Sequence, residues 1–427
     1  MLSAISSAWS LLLGVSLIML GNGLQGTLVG LRAVQEGFST GATGIVMAGY
    51  FLGFLLGSLL VPRLVAKVGH VRVFAALGSL ASSAVLLFIV FVNPWSWAAM
   101  RLTIGFCYAG LYVVAESWLN GSSTNETRGQ LLAVYMILVF AGMGLGQLLL
   151  NVGDPASFEL FVLASVLISF ALIPILLSAG RAPQVDTPQH VGLVELYRLS
   201  PLGVVGSFGI GMAQGTIFGM GAIYAENIGF DTRGVSIFMG SIFLGGLLFQ
   251  WPVARLSDRF DRRLVLTCVT VTAAGLGVAG TFLSGAPDLV RFIAILLFGG
   301  MCLPQYSLTV AHANDNLTPS QMVAASATLY IFVGVGASLG PVAVAFLMQL
   351  AGPSAFYYAL AAIHGAIGAF ALYRMTRRES VPLSEQGPAM AVTSSASPLA
   401  TTMSVENLRN HMDQDLARMS RSHMRRG

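Results

Sequence analysis

The sequence predicts an all-α membrane protein: twelve transmembrane helices in two parallel six-helix bundles. Three observations carry that prediction. Of 427 residues, 55% are hydrophobic and only 9% are charged, with mean hydropathy +0.78. Soluble domains carry about 25% charged residues, so this chain has too little charge to cover a water-facing surface. The apolar residues fall in long runs, and the two halves of the chain repeat one another.

A bilayer core of about 30 Å takes about 20 apolar residues of helix. Twelve runs qualify, at 8–30, 40–61, 73–92, 96–118, 130–150, 157–178, 201–224, 234–254, 264–284, 289–311, 321–348 and 354–374. They are too long for barrel strands and lack period-two alternation. The first lacks a basic leader and stays apolar past any cleavage site, so it reads as a span rather than a signal peptide.

Basic residues set the orientation. With the N-terminus in the cytoplasm, Arg63, Lys67, Arg72, Arg128, Arg181, Arg198, Arg255, Arg259, Arg262, Arg263, Arg374, Arg377 and Arg378 lie inside. Arg32 and Arg233 lie outside, and Arg101 and Arg291 fall within spans. This alternation requires an even number of spans with both termini cytoplasmic, in the inner membrane of a cell. The basic residues form no continuous face, which argues against nucleic acid as a partner. Cys107, Cys268 and Cys302 all lie in apolar runs without metal or disulfide spacing.

Residues 37–64 match 229–256 at a constant offset of 192, including Gly37/Gly229, Phe38/Phe230, Thr40/Thr232, Gly53/Gly245 and Arg63/Arg255. Gln25-Gly26-Thr27 recurs as Gln214-Gly215-Thr216, Arg101 as Arg291, and Ser117 as Ser307. The chain therefore divides into an N-terminal bundle (1–180), a linker (181–199), a C-terminal bundle (200–375) and a tail (376–427). Parallel halves with a midplane site between them are a recurring transporter plan. In the tail, Leu408, Met412, Leu416 and Met419 fall at helical spacing among arginines, a pattern for a helix on anionic lipid or for a solvated segment.

Polar side chains inside spans usually face the protein interior or a water-filled cavity. Asn22, Gln25 and Gln214 fit either a cavity lining drawn from both halves or hydrogen bonds between helices. Arg101 shares a helix face with Tyr108 and Tyr112, and Glu116 lies beside that face. The arginine stays protonated, so it binds an anionic group, tunes a carboxylate, or reaches the outer interface. Arg291 is its counterpart in the tenth span. Glu116 reads as a gate anchor pairing with Arg128, or as a proton-coupling acid. Glycines recur at 49, 53 and 57, at 142, 144 and 146, and at 334, 336 and 340, for static close packing or for sliding contacts between halves.

Arg63-Leu64-Val65-Ala66-Lys67-Val68-Gly69 and its copy at 255–263 resemble motif A of the major facilitator superfamily, and Arg101 with Gly105 resembles its motif B. Glu116-Ser117, Arg128-Gly129, Gly146-Gln147 and Gln250-Trp251-Pro252 resemble the YcaD-like bacterial branch. The resemblance implies the superfamily fold. It implies cytoplasmic gate roles for Arg63, Lys67, Asp258 and Arg259, placed in the loops at 63–72 and 255–263, and a link to proton coupling for Arg101. Two departures stand out: Ala66 replaces the motif A acid, and Gly146-Gln147 stands where drug antiporters have Gly-Pro.

The function expected is secondary active transport of a small solute by alternating access, coupled to protons, by a monomer with no cofactor or metal. A membrane ligand sensor signalling through its tail is the alternative. Neither a phosphate-binding loop nor a nucleophile–base pair is present, so no enzyme is expected.

Overall fold

The computed structural model describes residues 8–123, 127–177, 192–283, 285–315 and 319–377, with single positions 317, 382 and 386. Twelve helices among them are long and apolar enough to cross a membrane. They are α1 Trp9–Gln35, α2 Thr40–Val68, α3 His70–Val90, α4 Pro94–Ser122, α5 Arg128–Leu148 and α6 Glu159–Leu177. The second half has α7 Pro201–Asn227, α8 Thr232–Arg259, α9 Arg262–Thr281, α10 Asp288–Asn314, α11 Pro319–Ala351 and α12 Ala355–Met375. A 3-10 turn, Leu149–Val152, extends α5.

Helix packing repeats between the halves. In the first half α2 packs on α4, α1 on α5 and α6, and α3 on α6. The second half repeats this with α8 on α10, α7 on α11 and α12, and α9 on α12. The repeated Gly-Phe-x-Thr stretch has a local cause. Gly37 and Gly229 take positive φ, 76° and 91°, a conformation glycine adopts without strain. Phe38 N then bonds Ala33 O at 3.0 Å, and Phe230 N bonds Ala225 O at 3.1 Å, closing α1 and α7. Ser39 and Asp231 follow as side-chain caps of α2 and α8. One sequence device thus makes both far-face turns.

The structure departs from the sequence reading in three places. First, α2 and α8 run past their apolar stretches, so the motif A residues are the last turns of helices rather than loops. A helix need not stop where the hydrocarbon does, because its backbone bonds are internal. Second, the tenth span is interrupted at Leu303-Pro304, between Asp288–Cys302 and Gln305–Asn314, since proline lacks the N–H that an uninterrupted helix requires. Third, a short helix, Leu193–Leu199, lies in the predicted linker. The rest of the linker to 191, and the amphipathic stretch of the tail, lie outside the described residues.

The glycines divide by role. A Cβ on Gly53 would overlap the Leu102 carbonyl oxygen, and one on Gly105 the Tyr50 carbonyl oxygen, so α2 and α4 touch backbone to backbone. That is static packing within one half. Gly144 and Gly334 instead face Phe243 and Leu55 across the boundary between halves.

Candidate functional site

A cavity partly open to the outside lies between the halves, with about 770 Å³ of space among its lining residues when the open mouth is counted. From the N-terminal half it is lined by Asn22 and Gly26 of α1, Tyr50, Phe51 and Phe54 of α2, Arg101 of α4 and Met143 of α5. Its other wall is Gln214 and Phe218 of α7 with Tyr330, Val333, Gly334 and Ala337 of α11.

The polar groups of the N-terminal wall form one connected network. Asn22 Nδ2 donates to Tyr50 Oη at 3.1 Å, and Gln25 Nε2 donates to Asn22 Oδ1 at 3.1 Å. Arg101 Nη1 donates to Gln25 Oε1 at 3.1 Å, and its guanidinium lies 4.7 Å from the centre of the Tyr50 ring. Arg101 is only 2% exposed, so it points inward rather than toward the membrane surface. Spacing on α1 explains the chain: residues three apart share a face, which puts Asn22 and Gln25 together, with Gln25 behind the lining.

Other expected residues sit further out. Tyr108 is buried beside Tyr50, ring centres 6.2 Å apart, with an unpartnered hydroxyl. Tyr112 donates to Met19 Sδ at 2.9 Å, so it packs behind the cavity. Arg291 lies apart from the cavity. It pairs with Asp288 in the first turn of α10, and its guanidinium lies 4.2 Å from the centre of the Phe230 ring. Asp288, one turn earlier on the same helix, offers it a nearer partner than any group in the interior. Glu116 is fully buried and accepts a 2.8 Å hydrogen bond from Tyr135 of α5. Arg128 donates to Ser123 at 3.4 Å.

Sequence reasoning missed Tyr50, Phe54, Phe218 and Tyr330. Aromatic residues in an apolar span give no signal of which face meets a cavity. It also missed two ties. Gln147 bonds α1 through Gly23 O at 2.9 Å and Thr27 Oγ1 at 2.6 Å. This explains the glutamine in place of proline: it clamps α5 to α1. Arg262 forms a buried bidentate pair with Asp315, 2.6 and 2.7 Å, linking α9 to the end of α10.

The cavity is roofed at the face opposite the motif A ends. Gly41 N donates to Gln349 Oε1 at 3.0 Å, and Asn151 Nδ2 donates to Ser236 Oγ at 2.8 Å. A Cβ on Gly44 would run into Ala345, and Gly219 lies against Pro341 and Met47. Contacts between α2 and α11 continue down to Leu55 and Gly334. In the last turns of α2, residues 59–68, only Val61 and Val65 are buried, while Arg63 and Lys67 are exposed. Arg255, Asp258 and Arg259 are exposed at the matching end of α8.

Comparison with known proteins agrees with this architecture. The family model of the Major Facilitator Superfamily matches residues 11–234 and 203–410. The chain is 28% identical over 376 residues to the uncharacterized MFS-type transporter YcaD of Escherichia fergusonii, covering 87% of this chain and 97% of that one. In fold it is similar to the nucleoside transporter NupG, with TM-score 0.71, 14% identity, and coverage of 86% of this chain and 98% of NupG. It is also similar to the E. coli fucose:proton symporter FucP, with TM-score 0.55, 16% identity, and coverage of 87% and 99%. The chain belongs to the major facilitator superfamily, and it is a multi-pass protein of the inner membrane.

Proposed function

We propose that this member of the superfamily is a secondary transporter that moves a small solute by alternating access, with both termini and the basic face in the cytoplasm. One observation carries the reading: a cavity at mid-height between the halves, lined from both of them and roofed at one face. Each half supplies one wall, so a bound solute touches both. Rocking would break the far-face contacts at Gly41, Gly44 and Asn151 and bring the basic ends of α2 and α8 toward the opposite half. Arg63, Lys67, Asp258 and Arg259 stand at those ends, where a closed cytoplasmic gate would form.

Proton coupling in this reading runs through Glu116, with Tyr135 as the hydrogen-bond donor that holds it. Among the described residues it is the acid that burial removes wholly from solvent. A carboxylate in such a place is a functional group by default. Glu116→Gln should abolish accumulation driven by a pH gradient while sparing solute exchange. Accumulation at the normal rate would remove Glu116 from the coupling role.

The movement can be tested without knowing the solute. In a Cys268→Ser background, Phe51→Cys places a thiol in the cavity, and Gly41→Cys with Gln349→Cys locks the far face. Without the lock, a membrane-impermeant maleimide should reach position 51 from either side. With the lock it should react only from the cytoplasmic side, and reduction should restore both. Labelling from the far side that ignores the lock would end the alternating-access reading.

A further inference from the structure

The cavity wall carries a formal positive charge that no acid among the described residues offsets. Arg101 makes one hydrogen bond, to the neutral Gln25, and its buried Nε has no partner. A guanidinium has five donors and keeps its proton. Its other neighbours, Tyr50 and Tyr108, are phenols. Glu116 is on the same helix but fifteen residues away, about 22 Å along the axis. Among the described residues no ion pair reaches Arg101, and no Asp or Glu lines the cavity.

Elsewhere the protein does pair such cations. Arg32 meets Glu36, Arg262 meets Asp315, and Arg291 meets Asp288. The repeat shows how the exception arises. Asp288 stands three residues before Arg291, and the matching position before Arg101 is Ala98. Without that acid, Arg101 turns inward onto the network of Asn22, Gln25 and Tyr50.

Resting on the transporter reading, we propose that the solute is a small organic monoanion, a carboxylate with an aromatic or branched apolar body. The anion sits against Arg101, Asn22 and Tyr50 on the N-terminal wall. Its body lies among Phe54, Phe218 and Tyr330, and Gln214 meets any polar group at its far end. A single cation suits a single negative charge. A cationic solute would meet the guanidinium with no acid to balance it, and a small inorganic anion would leave the aromatic wall unused. The anion also neutralises the site before it closes, which lowers the cost of enclosing Arg101 in a dry interior. Only the loaded carrier then occludes readily.

The test uses the purified full-length protein and matched probes: phenylacetate, 4-phenylbutyrate and indole-3-acetate, each with its primary amide, plus 2-phenylethylamine. At saturating concentration at least one acid should raise the melting temperature by several degrees. Its amide should bind about tenfold to a hundredfold more weakly, because it cannot form charge-assisted bonds to the guanidinium. The amine should not bind. Arg101→Gln should erase the preference for acid over amide, and Arg101→Lys should keep part of it. An amide or amine that stabilises as well as its acid, a panel in which no acid stabilises, or an Arg101→Gln protein that still prefers the acid would each overturn the proposal. The wild-type comparison stands even if a variant does not fold. Flux in proteoliposomes separates the two readings. Binding of an acid without flux would end the transporter reading and leave the anion site. Flux of a neutral solute with no preference for acids would do the reverse.

Discussion

The two halves share a sequence pattern and a packing plan, yet they treat their charges in opposite ways. In the C-terminal half Arg291 has Asp288 as its acid partner, with the Phe230 ring beside it, and Arg262 has Asp315. In the N-terminal half the matching positions differ. Arg101 faces the cavity with neutral neighbours. His70, in the place of Arg262, makes a 2.9 Å bond with Ser117 and stacks on the Trp118 ring. Glu116, in the place of Tyr306, is a buried acid. The N-terminal half thus holds a buried arginine among neutral neighbours and a buried acid, where the C-terminal half holds arginine–acid pairs.

The sharpest test of this division sets two arginines against each other. Arg262→Ala removes the cation that holds the buried Asp315, so it should cost about 3–5 kcal/mol. Chemical denaturation or thermal melting in detergent would show it. Arg101→Gln should instead leave stability unchanged or raise it, because it removes an unbalanced cation, while solute affinity falls about a hundredfold. If both variants lose stability equally, the halves do not differ as described.

A smaller effect should follow from moving the acid. Ala98→Asp puts a carboxylate where the C-terminal half has Asp288. It should draw Arg101 away from Gln25 and weaken binding about tenfold, at the lower end of the worth of a charge-assisted bond. Unaltered binding would mean that the missing acid is not what turns Arg101 inward. His70→Ala should cost about 1 kcal/mol, the worth of an ordinary hydrogen bond, well below the loss at Arg262.

The least effect is expected at the α8–α9 turn. Burial tends to raise the Asp261 carboxyl, but hydrogen bonds from Arg263 and the charges of Arg263 and His312 outweigh it and hold it below the usual range. Its contribution is present at neutral pH and is lost as pH falls through that lowered value. Asp261→Ala should cost about 0.5–1 kcal/mol as a lost helix cap. The variant and wild type should then converge in stability at acid pH. A difference that persists there would point to packing rather than to the carboxylate.

Parts of the candidate site were legible in the sequence, namely Asn22, Gln25, Gln214 and Arg101, because a polar group in an apolar run stands out. Its aromatic walls were not, because Phe54, Phe218 and Tyr330 look like every other apolar residue in their spans. Arg291 was misleading for the same reason that Arg101 was informative. A polar residue in a span announces that it needs a partner, not which partner it has found.

The sequence by itself determined the solvent, the number of spans and the repeat. Each depends on local properties: the length of an apolar run, a capping residue, a glycine at a turn, a charge in a short connection. Only the tertiary structure decided which polar groups meet. The meeting of α1, α2 and α4 at Arg101, and of α9 and α10 at Asp315, depends on how each helix is rotated and how closely its neighbours approach. Backbone contacts such as Gly53 against Leu102 set those rotations, and hydropathy carries no record of them.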